Sequence, residues 1–136
     1  MKAINIFKTG THTSMGGAEL NFSEADLQAV ATSYDPKLHE APIVVGHPKS
    51  DDPAFGWVKG VTFEDGNLYA EPHQVDEAFA EMVADGKFKK VSAAFYAPGS
   101  ANNPTPGSYH LRHVGFLGAQ PPAVKGSPRH RVCRWR

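Results

Sequence analysis

Short strand-like segments, separated by glycine and proline, constrain the fold of this chain most. The clearest pair covers residues 57–63 and 68–71, which are joined through the sequence EDGN. Asp65-Gly66 between two such segments predicts a tight β-hairpin, because both residues of that turn must accept a positive φ. Thirteen glycines and eleven prolines are spread between the patterned segments. This spacing favours a strand-rich domain over a helical bundle.

The remaining segments add strands and two helices around this hairpin. Ser23 is an N-cap with Asp26 three residues later, and Leu27, Val30 and Tyr34 follow at helical spacing. A second helix is predicted in VDEAFAEMVADG, with an apolar stripe of Val75, Phe79, Met82 and Val83 and with Gly86 at its end. Further strands are predicted at residues 3–7, 43–45, 91–96 and 109–117, with polar loops at residues 8–17 and 97–108. The fold class is therefore α+β: a small, mostly antiparallel β-barrel with flanking helices.

Composition excludes several classes of function. Fourteen basic and fourteen acidic residues balance, so no net field favours nucleic acid or an anionic membrane surface. A length of 136 residues suits one domain. Cys133 is the single cysteine, which fits a reducing compartment, and neither a signal peptide nor an apolar run of membrane-spanning length is present. We expect a soluble, intracellular type of protein that binds neither nucleic acid nor membrane.

One serine and two histidines are the candidates for nucleophilic chemistry. Ser92 lies in the predicted strand VSAAFY, where two alanines leave little bulk beside its hydroxyl. His47 follows a short buried strand, and His113 lies inside the last strand, on one face with Leu111 if alternation is strict. A serine nucleophile needs a neighbouring base. Each residue also has an ordinary structural explanation: small packing, a turn, or a buried histidine with a hydrogen-bonding partner.

Other groupings of polar residues give competing interpretations. His110 and His113 suggest a metal site, but three residues apart in a strand should put them on opposite faces. His47 with Asp51 and Asp52 offers ligands for a metal, although Asp-Asp-Pro is also a common solvated turn. Ser14 in THTSMGG lacks the pattern of a nucleophile elbow and has no G-K-[ST] phosphate loop. A polar loop accounts better for that segment.

Four stretches together resemble the Mu-like bacteriophage I protein family of prohead protease and scaffold precursors. They are IFKTGTHTSMGG, LHEAPIVVGHPKSDDPAFGWV, KFKKVSAAFY and YHLRHVGFLGAQPPAVKG. The order His, Ser, His is also similar to that of herpesvirus assemblin and the tailed-phage prohead proteases, which are serine peptidases on a small β-barrel. The resemblance implies a catalytic set of Ser92 as nucleophile, His47 as base and His113 as the residue that orients His47. Asp51 is an alternative third member.

The resemblance also implies a biological setting. Residues 1–126 would form the protease domain. The segment 127–136 departs from the family pattern: its four arginines and lack of apolar periodicity predict a basic, disordered tail. The enzyme would cleave itself and the scaffold and major capsid proteins inside the phage prohead, in the host cytoplasm, without a cofactor and with a homodimer as the active form. A third member that is a neutral histidine stabilises an imidazolium less than a carboxylate does, so we expect slow turnover. Alternatives are a non-catalytic capsid-assembly module, and a metal-dependent hydrolase using His47 and Asp51.

Overall fold

A six-stranded sheet that curls into a nearly closed barrel organises the chain. The computed structural model describes residues 1–13, 17–46, 48 and 51–118. Within them the helices are α1 Glu24–Ser33 and α2 Glu77–Ala84, and the strands are β1 Ile4–Lys8, β2 Gly10–Thr13, β3 Glu19–Phe22, β4 Pro42–Val45, β5 Gly56–Glu64, β6 Asn67–His73, β7 Lys90–Tyr96 and β8 His110–Leu117. None of the helices in these ranges is long and apolar enough to cross a membrane.

The strand order in the large sheet is β1-β6-β5-β4-β8-β7, with β2 and β3 forming a separate two-stranded sheet. Every pair in the large sheet is antiparallel except β4 and β8, which run parallel. The two edge strands approach each other. The ring centroids of Phe7 on β1 and Phe95 on β7 are 5.1 Å apart. The predicted class, an α+β fold with a small and mostly antiparallel barrel, is confirmed.

The local structures predicted from short sequence motifs are present. Asp65 and Gly66 have φ of 49° and 79° at the tip of the β5–β6 hairpin. Ser23 and Asp26 make a reciprocal capping box at the start of α1, which satisfies two backbone N–H groups that the helix leaves open. Gly86 has a positive φ just after α2. These motifs depend on residues within four positions of each other, so no tertiary contact is needed to specify them.

The predicted loop at residues 8–17 is wrong in part. Residues Gly10–Thr13 form β2, which pairs with β3 in the region predicted to lead into the first helix. The alternation of a strand is present here, but its inward position is filled by His12 instead of an apolar side chain. The His12 ring stacks on the Phe7 ring with their centroids 4.1 Å apart, so it packs against the core where an apolar side chain would be expected. Because this inward position is polar, the sequence pattern did not indicate strand β2.

One smaller prediction, the apolar stripe of α2, also differs from the structure. Met82, placed in the apolar stripe of α2, is 43% exposed, while Phe79 carries the burial of that helix. The loop at residues 97–108 is organised around a buried side chain, Asn103. Its amide nitrogen donates to the carbonyls of Ala97 at 2.8 Å and Ser108 at 2.7 Å, which ties the two ends of the loop together.

Candidate active site

Ser92 lies on the face of β7 that points away from the main core. Val91, Ala93 and Phe95 alternate into the hydrophobic core, so Ser92 and Ala94 share the opposite face. This face is nevertheless covered, because Ser92 is only 1% exposed. The strand predicted around the serine is confirmed, and its alternation explains why a hydroxyl is tolerated there.

His113 lies beside Ser92 on the neighbouring strand β8. The register pairs Ala94 with His113 and Ser92 with Gly115, so His113 and Ser92 are diagonal neighbours on one face. Diagonal neighbours are about 7–8 Å apart at Cα, within reach of an imidazole side chain. His113 is 6% exposed. Two of the three predicted catalytic residues are therefore together on a buried patch of adjacent strands.

The residue directly opposite Ser92 must be a glycine. A Cβ at Gly115 would lie 2.5 Å from the carbonyl oxygen of Gly46, which is far closer than such atoms can approach. Gly46 follows β4 with a φ of +69°, and its N–H donates to the Phe116 carbonyl at 2.9 Å. The turn after β4 therefore lies against β8 next to the cross-strand partner of Ser92. His47, the third predicted residue, lies outside the described residues.

His113 is a neutral histidine in this environment. Burial is the main cause that lowers its pKa to about 4, and the positive charge of Arg112 and the nearby His39 lower it further. At neutral pH the imidazole therefore has one nitrogen that donates and one that accepts. Such a ring can accept a hydrogen bond from another histidine and hold its orientation, but it contributes no negative charge.

A β-bulge in β8 changes which side chains share the face with Ser92. The register moves from Ala94–His113 to Phe95–Leu111, which leaves Arg112 without a cross-strand partner. Leu111 therefore enters the core with Phe95. The prediction that His113 shares a face with Leu111 is wrong for this reason. A bulge inserts one residue, and one residue reverses the alternation.

The same bulge brings His110 and His113 to one face, where strict alternation had placed them on opposite faces. Their β7 partners, Tyr96 and Ala94, are two residues apart. His110 is fully buried and stacks on Tyr34 at 5.0 Å. Its Nδ1 lies 3.0 Å from the Leu111 carbonyl, and burial lowers its pKa below the ordinary value. His110 is therefore a neutral histidine with a structural role.

His39, which the sequence did not single out, covers this face. Its Nε2 lies 2.9 Å from the Arg112 carbonyl, and its ring meets those of Tyr96 and His110 edge-on at 5.3 Å and 5.8 Å. No pattern in LHEAPIVV marks this histidine, because its partners lie more than fifty residues later in the chain.

A metal centre has no support in the described part of the chain. No group of three or more His, Cys, Asp or Glu side chains there is arranged to hold a metal ion. The proximity of His39, His110 and His113 therefore does not amount to a chelating site. The alternative sites involving His47 and Ser14 include positions outside the described residues.

Comparison with known proteins gives a resemblance of fold. A scan against protein-family models and a search of curated proteins both give no match. Two solved structures of Kaposi's sarcoma herpesvirus protease, both in complex with an allosteric inhibitor and one of them determined at room temperature, are similar to this chain. Each has 15% sequence identity and a TM-score of 0.43, over 87% of this chain and 71% of the herpesvirus chain. The likeness concerns the path of the chain alone.

Proposed function

We propose that this protein is a serine endopeptidase with Ser92 as nucleophile, His47 as general base and His113 as the residue that orients His47. The observation that carries the proposal is that a buried serine and a buried neutral histidine are diagonal neighbours on one face of two adjacent strands. Gly46 touches the same face opposite Ser92, and His47 is the next residue in the chain. The roles given to these residues follow from the chemistry that a serine nucleophile needs.

The reaction proceeds by acyl transfer. The Ser92 Oγ attacks the scissile carbonyl carbon while its proton passes to His47, and the departing amine takes that proton as the C–N bond breaks. Water then hydrolyses the acyl-enzyme with His47 acting again as base. His113 accepts a hydrogen bond from the other ring nitrogen of His47. Because His113 is neutral, it stabilises the imidazolium less than a carboxylate would, and turnover is slow.

The substrates are extended segments of protein chains. Among the described residues β7 stands at the end of the strand order with β8 as its neighbour, and an extended peptide binds an edge strand by main-chain hydrogen bonds. Beside Ser92 on this face of β7, Ala94 presents only a methyl group. We further propose that these segments belong to phage scaffold and major capsid proteins and to the protease itself, cut inside the prohead by a homodimer. The support for this setting is the set of sequence motifs that resemble the Mu-like I proteins.

The decisive experiment removes the nucleophile. Ser92→Ala should abolish labelling by a fluorophosphonate probe and cleavage of a co-expressed scaffold protein, while circular dichroism stays unchanged. Ser108→Ala, in the loop before β8, is the matched control and should keep both activities. Labelling of the Ser92→Ala variant at the wild-type rate would show that another residue is the nucleophile, or that the chain is not a serine peptidase. Loss of activity with a chelator would favour a metal-dependent hydrolase instead.

One observation favours a second candidate, a non-catalytic capsid-assembly module. Ser92 is 1% exposed, and a nucleophile has to meet its substrate. If the groups covering Ser92 do not move, the site cannot turn over. The two candidates differ in a single measurement: the module leaves Ser92 unlabelled by fluorophosphonate in the wild-type protein, both alone and with scaffold protein bound, whereas the peptidase is labelled.

A further inference from the structure

The bulge at Arg112 decides where three consecutive side chains of β8 point. Leu111 enters the core, Arg112 is exposed, and His113 is buried beside Ser92. With strict alternation, Arg112 would pair with Phe95 and point into the core, where an unpaired charge is very unfavourable. The position of His113 relative to Arg112 therefore depends on this bulge being kept in place.

Two side chains hold the bulge residue. The Arg112 carbonyl lies 2.9 Å from Nε2 of His39, and because a carbonyl only accepts, the proton of that bond must be on Nε2. The Arg112 guanidinium lies over the Tyr96 ring, 5.4 Å from its centroid. The His39 ring in turn meets the Tyr96 ring edge-on. Both the backbone and the side chain of the bulge are thus fixed from the face that carries Ser92.

His39 is itself held firmly by the segment that bears it. The next residue, Glu40, accepts a hydrogen bond from His73 of β6 at 2.6 Å. At the two ends of the segment, the Ala41 N–H donates to the Tyr34 hydroxyl at 3.0 Å, and that hydroxyl donates to the Val58 carbonyl. The segment from residue 34 to residue 41 is therefore anchored to β5 and β6 on one side, and His39 connects it to β8 on the other.

We propose that His39 is a positioning residue for His113, acting through its hydrogen bond to the Arg112 carbonyl. The bond fixes the bulge, and the fixed bulge sets the peptide plane that leads into His113. The consequence for catalysis rests on the proposed peptidase function. The consequence for the geometry of His113 does not, since it concerns the folded protein without substrate.

The experiment compares two substitutions that separate the hydrogen bond from the ring. His39→Ala removes the donor, whereas His39→Gln keeps an amide N–H that can reach the same carbonyl. At saturating fluorophosphonate, the maximal rate of Ser92 labelling should fall 10- to 100-fold in His39→Ala, with little change in the concentration for half-saturation, because misplacement of about 1 Å costs up to about 100-fold. His39→Gln should recover most of that rate. Equal loss in both variants, or no loss in His39→Ala, overturns the proposal.

A matched control and a second readout keep the test independent of turnover. His12 makes the same kind of bond, from Nε2 to the Lys8 carbonyl at 2.8 Å, and its ring packs on the core residue Phe7 instead of on the face that carries Ser92, so His12→Ala should leave the labelling rate unchanged. In ¹⁵N NMR spectra, His39→Ala should shift the ring nitrogens of His113 and the amide of Arg112, and His39→Gln should restore them. Unmoved His113 signals in His39→Ala refute the proposal whatever the activity. If Ser92→Ala still cleaves but these shifts occur, the peptidase assignment fails while the positioning role stands.

Discussion

Gly115→Ala tests the contact on which the candidate site depends. The new Cβ would lie 2.5 Å from the Gly46 carbonyl oxygen, whereas ordinary van der Waals contact begins at 3.4 Å. The two backbones must therefore separate by about 0.9 Å, and neither has a flexible side chain that can move aside. Gly46 is also bound to β8 through the Phe116 carbonyl, so any shift either breaks that bond or separates β4 from β8.

Two effects set the expected loss of stability: overpacking at the new methyl group and loss of a backbone hydrogen bond. Overpacking of this kind costs about 1–3 kcal/mol. Loss of the hydrogen bond from Gly46 to Phe116 adds about 1 kcal/mol. The free energy of unfolding should therefore fall by roughly 2–4 kcal/mol, which corresponds to a drop in Tm of roughly 5–15 °C. Displacement of residue 46 by nearly 1 Å should also reduce fluorophosphonate labelling of Ser92 at least tenfold, even where the variant is fully folded.

Urea denaturation and the rate of labelling measure the two effects. Gly60→Ala is the matched control, because it adds the same methyl group to a strand glycine whose nearest neighbour, the Glu71 carboxylate, is at an ordinary 3.6 Å. If Gly115→Ala and Gly60→Ala have the same midpoint in urea and the same labelling rate, the turn at Gly46 does not lie against Gly115. The reasoning about the site would then be wrong.

Two further predictions concern the buried polar groups. The pKa of His113 is lowered to about 4 from an ordinary 6.5, so the unfolded chain binds this proton more readily and stability falls as the pH drops from 6.5 towards 4, by up to roughly 3 kcal/mol. Urea denaturation at pH 7 and pH 4 should show a smaller pH dependence in His113→Gln, and an unchanged dependence contradicts the assignment. Asn103→Ala should lower the free energy of unfolding by about 2 kcal/mol and speed hydrogen exchange in the 97–108 loop, because two carbonyls lose their donor. Asn102 is exposed, so Asn102→Ala should change neither quantity.

The strands that carry Ser92 and His113 were predictable from the sequence, but the way in which these strands pair was not. Ser92 was predicted in a strand beside small residues, and it is there. His113 was predicted in the last strand. It lies beside Ser92 because the register of β7 and β8 pairs Ser92 with Gly115. No rule based on spacing supplies that register. The bulge at Arg112 illustrates the reason, because one unpaired residue reversed the faces expected for Leu111 and for the two histidines.

Features missed altogether share one property. The strand β2 was missed because a histidine, stacked on Phe7, occupies the place of an apolar residue. His39 was missed because its partner, Arg112, is 73 positions away in the chain. The close contact between Gly46 and Gly115 has no signature in either local sequence. In each case the structural role of the residue depends on a contact with a residue that only the folded chain brings close.

The sequence by itself determined the local elements: the turn at Asp65-Gly66, the capping box of Ser23 and Asp26, and the extended strand that carries Ser92. Hydrogen bonds and steric limits within a few residues are sufficient for these. Only the tertiary structure decided that β8 lies between β4 and β7, and hence that Gly46, Ser92 and His113 share one face. Strand pairing is chosen by the burial of the whole core, a sum over contacts distant in sequence, and no short segment contains that information.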